Sequence, residues 1–307
     1  MAYLKLRKTI DLHAPGVVFH HVTFATEALP TMARFLPQGV HVVLGPFGSA
    51  VSAGPAPLTK RVARWSRGAI ARWNLGRADV AIAQNDDVYA AIRTRARAKL
   101  YLEPNAVVDL TPSPEDREVP CVDLSGVCHD PRTVRPIVVA GRLIPRKRVD
   151  LAIAAMALLR GNGTQMWIIG DGPELGALRA QVEALRLEDQ VHFFGEIPRA
   201  HLLDVLRMAS VLVHLSSQEG AGWVVAEAQS AGAVPVVVKG SGADTVVRLG
   251  GFGEVVSEAK PALVAASIEC AAASHPAPTS RWSSDRIVDL LPIWYSGAWK
   301  DPKGEHA

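Results

Sequence analysis

Cysteine is scarce in this chain: three in 307 residues, at Cys121, Cys128 and Cys270, with no CxxC pair. That excludes a disulfide framework, and reduced thiols in a cytoplasm are the expectation. Long apolar runs are lacking too, and none reaches the roughly 18 residues that a membrane span needs. The opening segment MAYLKLRKTIDLHAPG has no apolar centre of the kind a signal peptide carries. Neither sign of charge dominates. The 33 Lys and Arg against 30 Asp and Glu leave +3, too small a balance to imply nucleic acid on charge alone. Internal repeats and low-complexity tracts are missing, as are a DxD element and any histidine cluster at metal-ligand spacing.

What is present is the composition of a soluble globular chain, 49% hydrophobic and 21% charged. Its length suits two domains of about 100–200 residues each. One stretch is unevenly charged: residues 60–99 hold ten Lys and Arg against three Asp and Glu.

Short apolar runs alternate with helical patterns along most of the chain. GVVFHH (16–21), VHVVL (40–44), ADVAIA (78–83) and AKLYL (98–102) read as buried strands, with helical stretches at 58–74 and 87–97. The Pro- and acid-rich segment TPSPEDREVPCVDLSG (111–126) has no clean period and reads as a linker. The rhythm then restarts with strands at 136–140, 165–169, 191–194, 211–215 and 234–238 and helices at 149–160, 174–186, 199–209 and 222–231. Strands separated by helices predict parallel sheets covered on both faces, hence an α/β chain of two Rossmann-like halves with a cleft between them. Ligands of such sheets sit at the carboxyl ends of the strands.

Four strand ends carry chemistry. GRLIPRKRVD (141–150) sets a glycine turn at Gly141, then Arg142 and Lys147, before a helix start. Arginine grips an oxyanion bidentately, lysine supplies a point charge, and a helix N-terminus adds its dipole, a combination suited to phosphate. GDGP (170–173) reads first as a tight strand-to-helix turn. FFGEIPR (193–199) ends a strand, and backbone groups beside Glu196 and Ile197 are available to a nucleobase edge, although nothing local demands that role. The fourth, SSQEGAGWVVAEAQSAGAVPVVV (216–238), is the most informative. Glu219 and Glu227 stand eight residues apart across a Gly220–Ala221–Gly222 turn and a helix beginning near Trp223. Eight helical residues cover about 12 Å, which is close to the span from a sugar across a diphosphate to a ribose. Glu227 falls among Val224, Val225, Ala226 and Ala228, where an unpaired carboxylate is costly.

In their order and spacing, Arg142…Lys147, GDGP, V-x-F-x-G (191–195), Glu219-x7-Glu227 and EAQSAGAVPVV resemble the retaining glycosyltransferases of family 4, strongly over 136–256. VVFHHVTF, VVLGPFGSA, ADVAIAQNDD and YLEPNAVVD are similar, more loosely, to a subgroup acting in bacterial polysaccharide assembly. The resemblance implies a GT-B-like fold: an N-terminal acceptor-side domain with linker over 1–130, a nucleotide-sugar-binding domain over 131–280, and a returning helix over 281–307. It implies that Arg142 and Lys147 neutralise a diphosphate leaving group, that Glu219 contacts the transferred sugar, and that Glu227 holds the ribose. Gly141, Glu196, Ile197, Gly220, Ala221, Gly222 and Trp223 complete the implied donor site. The implied activity is metal-independent, cofactor-free hexosyl transfer from a nucleotide diphosphate sugar to a glycan or lipid-linked acceptor. A family histidine follows the first strand; against the family's H-x-H stands Phe19-His20-His21, and His21 is preferred to His20.

Family members carry a strand, a Gly-rich loop and further βα units before this histidine. About twenty residues precede it here, so a shortened N-terminal domain is expected. A non-catalytic donor-binding remnant and a sugar-nucleotide epimerase of the same architecture are the competing functions. The basic stretch 58–77 spaces Val62, Trp65, Ala69 and Trp73 by threes and fours among Lys60, Arg61, Arg64, Arg67 and Arg72. That pattern suits either a helix packed on the sheet or peripheral contact with an anionic membrane.

Overall fold

In the computed structural model the described residues are 11–12, 14, 16–22, 31–48, 69–94, 96–109, 135–159, 163–216 and 218–296. The linker 111–126, Cys121, Cys128 and most of the basic stretch, 58–68, lie outside them. The chain divides into two compact units, 1–105 with 287–307, and 106–286.

The larger unit is a six-stranded parallel sheet. Its strands are β5 (Ile137–Ala140), β6 (Met166–Ile169), β7 (Val191–Gly195), β8 (Val211–His214), β9 (Val234–Val238) and β10 (Glu254–Val256), in the order β10-β9-β8-β5-β6-β7. The runs IVVA, MWII, VLVH and VPVVV are buried at every position. Continuous β-branched and aliphatic runs are what a sheet covered on both faces requires. Alternate residues feed the two cores: Ile137 and Val139 pack on one side with Ile153 and Met156, and Val138 and Ala140 on the other with Trp167 and Leu212. Burying each Val, Leu, Ile or Met side chain among these contributes about 1.5–3 kcal/mol.

The covering helices are Val149–Met156, Leu175–Leu185, Arg199–Met208, Trp223–Ala231, Gly242–Gly250 and Pro261–Ala273. Their ends follow local chemistry. Gly232 stops the Trp223 helix in the left-handed region (φ 89°), and the Ser241 side chain caps the next helix by accepting from Asp244 N. The alternation does not finish at Val238, where the sequence pattern closes it. Helix Gly242–Gly250, strand β10 and helix Pro261–Ala273 continue it, and Val264 and Ile268 join the core.

The smaller unit has a four-stranded parallel sheet, β1 (Val18–His21), β2 (His41–Phe47), β3 (Val80–Ala83) and β4 (Lys99–Leu102), in that spatial order. Asn85 caps the helix Asp86–Arg93 by accepting from Val88 N. Val42, Leu44, Ala81 and Ala83 pack with Val88 and Ile92 on one face. The other face, Val43, Val80, Ile82 and Tyr101, is covered by Leu290 and Trp294 of the helix Ser284–Ser296. Both faces of the sheet therefore carry packed apolar side chains. His41 Nε2 lies 3.0 Å from the Trp294 carbonyl, tying that helix to β2.

Candidate functional site

Because the six strands of the larger unit run parallel, the loops after β5, β6, β7 and β8 emerge at one edge. Strand order reverses between β5 and its neighbour β8, since β6 and β7 extend to one side and β9 and β10 to the other. A crevice outside such a reversal is where ligands of open α/β sheets bind.

Backbone contacts hold the loops together. Gly141 N donates to the Ile169 carbonyl (2.9 Å), Gly170 N to that of Gly195 (2.7 Å), and Leu143 N to that of Asp171 (2.8 Å). A Cβ on Gly170 would lie 2.1 Å from the Gly141 carbonyl oxygen, and one on Gly172 only 2.3 Å from that of Leu143. The GDGP segment is thus a close-packed turn that lets the β5 loop lie against it. Arg142 is exposed beyond Gly141 and makes no side-chain hydrogen bond among the described residues. Pro145–Lys147 forms a 3-10 turn, and Arg148 takes the left-handed conformation (φ 52°) before the next helix. These steps bring Lys147 back over the strand ends.

There Lys147 meets the β8 loop. Its Nζ lies 2.7 Å from Glu219 Oε2, and Arg146 donates to the Gln218 carbonyl at 3.1 Å. His214, the last residue of β8, places Nε2 3.3 Å from the same Glu219 oxygen. That distance alone would pass for an ion pair, but burial pushes the His214 pKa down against the pull of Glu219, and the Lys147 and Arg146 charges lower it further. The imidazole is therefore neutral and donates Nε2–H. Burial works against ionisation of Glu219, yet the hydrogen bonds from His214 and Lys147, with the Lys147 charge, outweigh it and hold the carboxyl at about 2.

Gly242 N donates to the Glu219 carbonyl at 3.1 Å, and a Cβ on Gly242 would come within 2.0 Å of the Gly220 oxygen, so the turn packs on the following helix. Gly222 (φ 60°) directs the chain into the helix that starts at Trp223, whose side chain is 48% exposed; Ala221 is buried. The two glutamates are not separated by eight helical residues. Only Trp223–Glu227 of that span is helical, and the turn accounts for the rest. Nor is Glu227 unpaired: it is 5% exposed, and Arg199 Nε stands 2.8 Å from its Oε1. Arg199 opens the helix after Glu196 and Ile197, a position where the macrodipole disfavours a cation, and the carboxylate offsets that. Glu196 is exposed after β7, and Ile197 packs partly on the core.

In the smaller unit the two histidines at the end of β1 differ. His20 Nε2 lies 3.2 Å from the Gly45 carbonyl and Nδ1 3.2 Å from Tyr295 Oη. Burial lowers its pKa despite the Gly45 bond, so it is neutral, donating to Gly45 and accepting from Tyr295. His21 Nδ1 lies 3.2 Å from Thr31 Oγ1. Sequence reasoning missed His214 and Arg199. The first is a lone polar residue closing the apolar run VLVHL, and the second an arginine opening a helix after Pro198; both are legible as exceptions to pattern. Among the described residues no group of three His, Cys, Asp or Glu side chains is arranged to hold a metal ion.

Two parallel α/β sheets of this kind are the fold of the GT-B class. Residues 131–279 match the family of glycosyl transferases group 1. Over 208 residues the chain is 31% identical to the GDP-mannose-dependent alpha-(1-6)-phosphatidylinositol monomannoside mannosyltransferase of Mycolicibacterium smegmatis, covering 62% of this chain and 53% of that protein. It is 36% identical over 107 residues to the GDP-mannose:cellobiosyl-diphosphopolyprenol alpha-mannosyltransferase of Komagataeibacter xylinus, covering 34% of this chain and 27% of that one. The chain thus spans about half the length of the first relative and about a quarter of the second. Among solved structures, Anabaena HepE in complex with UDP superposes with a TM-score of 0.59 at 20% identity, covering 84% of this chain and 72% of that one. The trehalose-6-phosphate phosphatase N-terminal domain of Candida albicans gives 0.60 at 14%, covering 95% and 68%. At these identities the likeness is one of fold.

Proposed function

We propose that this chain is a retaining hexosyltransferase that takes its sugar from a nucleotide diphosphate donor and passes it to a glycan or lipid-linked acceptor of cell-surface polysaccharide synthesis. The observation that carries the reading is Lys147 paired to Glu219 across the strand reversal, with Arg142 exposed on the same β5 loop. Breaking the bond between the anomeric carbon and the diphosphate oxygen leaves the electron pair, and negative charge, on the diphosphate. Lys147, held by Glu219, and the exposed Arg142 are positive groups at the strand end suited to receive it, so stabilisation of the leaving group is assigned to side chains. Glu219, ionised at neutral pH, can only accept hydrogen bonds, which suits it to sugar hydroxyls. Glu227, one turn into the helix that follows and held by Arg199, is assigned to the ribose, with backbone of the Gly220–Gly222 turn facing the phosphates and that beside Glu196 and Ile197 facing the base. His21 is assigned to the acceptor side.

Three similar proteins support the donor class: the two mannosyltransferases above use GDP-mannose, and the HepE structure holds UDP. The experiment is thermal denaturation with UDP, GDP and ADP and their hexose conjugates. A ligand that binds the native state raises its stability by mass action. One nucleotide family raising Tm supports the reading; no shift with any of them at millimolar concentration contradicts it.

Contact with an anionic membrane belongs to the same reading. Phe35 is 63% exposed and stacks edge-on against Trp73, with ring centroids 5.9 Å apart, beside Arg34 and the exposed Arg72. An aromatic pair among arginines suits the interface of an acidic bilayer. No helix among the described residues is long and apolar enough to cross a membrane.

A further inference from the structure

We propose that His214 is a positioning residue, holding Glu219 in place at the moment Lys147 turns from that carboxylate to the donor diphosphate; this rests on the donor-site reading above. Lys147 and His214 address one and the same oxygen, Glu219 Oε2, at 2.7 and 3.3 Å. The lysine is the cation assigned to the leaving group, so a bound diphosphate competes with Glu219 for it. When Nζ moves to the phosphate, His214 is the side-chain partner that Glu219 keeps among the described residues.

Three features suit His214 to that task. It is 4% exposed and ends β8, so its ring is fixed by the sheet rather than by a loop. It is neutral, which gives a hydrogen bond without adding a charge that would pull Glu219 away from the sugar or attract the diphosphate to the wrong place. Binding through Oε2 leaves Oε1 for the transferred sugar. The charged groups facing this imidazole are Glu219 from the β8 loop and Lys147 and Arg146 from the β5 loop. The two basic residues oppose its protonation, so it stays a neutral donor through the physiological range. Glu219 itself lies in a turn whose backbone is anchored by Gly242 N, and only its side chain needs a holder.

The test compares His214→Gln, which keeps an N–H donor, with His214→Leu, which keeps bulk and loses the donor. The probes are UDP and GDP for binding, and UDP-glucose and GDP-mannose for turnover, read as nucleotide release. The expected result is turnover at least tenfold lower in His214→Leu, nucleoside diphosphate Kd within twofold of wild type, and recovery of most of the rate in His214→Gln. Unchanged turnover in His214→Leu overturns the proposal, as does a loss of nucleotide affinity equal to the loss of rate. Nitrogen-15 NMR of the wild-type chain gives a second arm that needs no variant and no donor. A neutral His214 protonated on Nε2 is expected, and an imidazolium or a proton on Nδ1 overturns the proposal. If wild type binds neither nucleotide the donor reading fails, and the NMR arm still decides the hydrogen bond to Glu219.

Discussion

Lys147 Nζ stands 2.7 Å from Glu219 Oε2, and the two residues come from loops on opposite sides of the point where strand order reverses. They are 72 positions apart in the chain, and the β5–β8 pairing, with Ile137 opposite Val211, is what makes them neighbours. On the proposed reading the pair is a site held ready: a cation for phosphate, kept in place by an anion for sugar.

Removing the cations should weaken nucleoside diphosphate binding. Lys147→Ala and Arg142→Ala each lose a charge-assisted contact worth about 1.5–3 kcal/mol, roughly 10- to 150-fold in Kd. Calorimetric titration of each variant checks it, and wild-type affinity in both removes the phosphate assignment.

The two glutamates should separate binding from transfer. Glu227→Ala should lower affinity for free nucleotide, whereas Glu219→Ala should leave it nearly intact and slow sugar transfer. Titration with nucleotide alone, beside turnover of the conjugate, decides; the reverse pattern rejects the assigned roles.

Arg199→Ala should destabilise the larger unit, because it leaves the buried Glu227 carboxylate without the partner at 2.8 Å. Arg199 is half exposed, so the loss is discounted for solvent to about 1–2 kcal/mol, a Tm drop of a few degrees. Arg199→Ala with Glu227→Gln should recover part of it, and calorimetric scans of the single and double variants measure the difference.

Glu219 also sets a pH dependence. Its folded pKa is about 2 against an ordinary 4.5, so the stability it contributes is complete above pH 4.5 and is lost as pH falls toward 2. The difference in Tm between wild type and Glu219→Gln should therefore shrink across that window and stay constant above it. A difference that grows on acidification would mean that the carboxyl is not held ionised.

Phe35→Ser with Arg34→Ser should reduce sedimentation with phosphatidylserine vesicles at low salt. Wild-type binding should itself fall at high salt, as the screening length shrinks to about 3 Å at 1 M. Absence of wild-type binding at either salt concentration removes the membrane contact.

The strands were legible where burial on both faces writes an unbroken apolar run, as in IVVA and VPVVV, because the pattern is local. Strand β10 escaped for the opposite reason. It has three residues, only Val256 of them buried, and its pairing to β9 supplies what its sequence does not signal. The capping Ser241 and the Ala-rich helix Pro261–Ala273 were the available cues to the continued alternation. Lys147 and Glu219 stood out as charged residues at strand ends, yet their pairing depends on strand order, which no periodicity encodes. Arg199 and Glu227 are likewise partners across 28 positions. His214 was hidden inside a hydrophobic run and gained meaning only once Glu219 was placed beside it.

The central claim is that the edge formed by the β5 and β8 loops binds a nucleotide through its diphosphate. The most direct measurement is the affinity of wild type and Lys147→Ala for a nucleoside diphosphate and for the corresponding nucleoside, taken by the same titration. The account predicts that the substitution cuts diphosphate affinity at least tenfold and leaves nucleoside affinity within twofold, so the ratio between the two collapses. An unchanged ratio, with both ligands bound as in wild type, would contradict it.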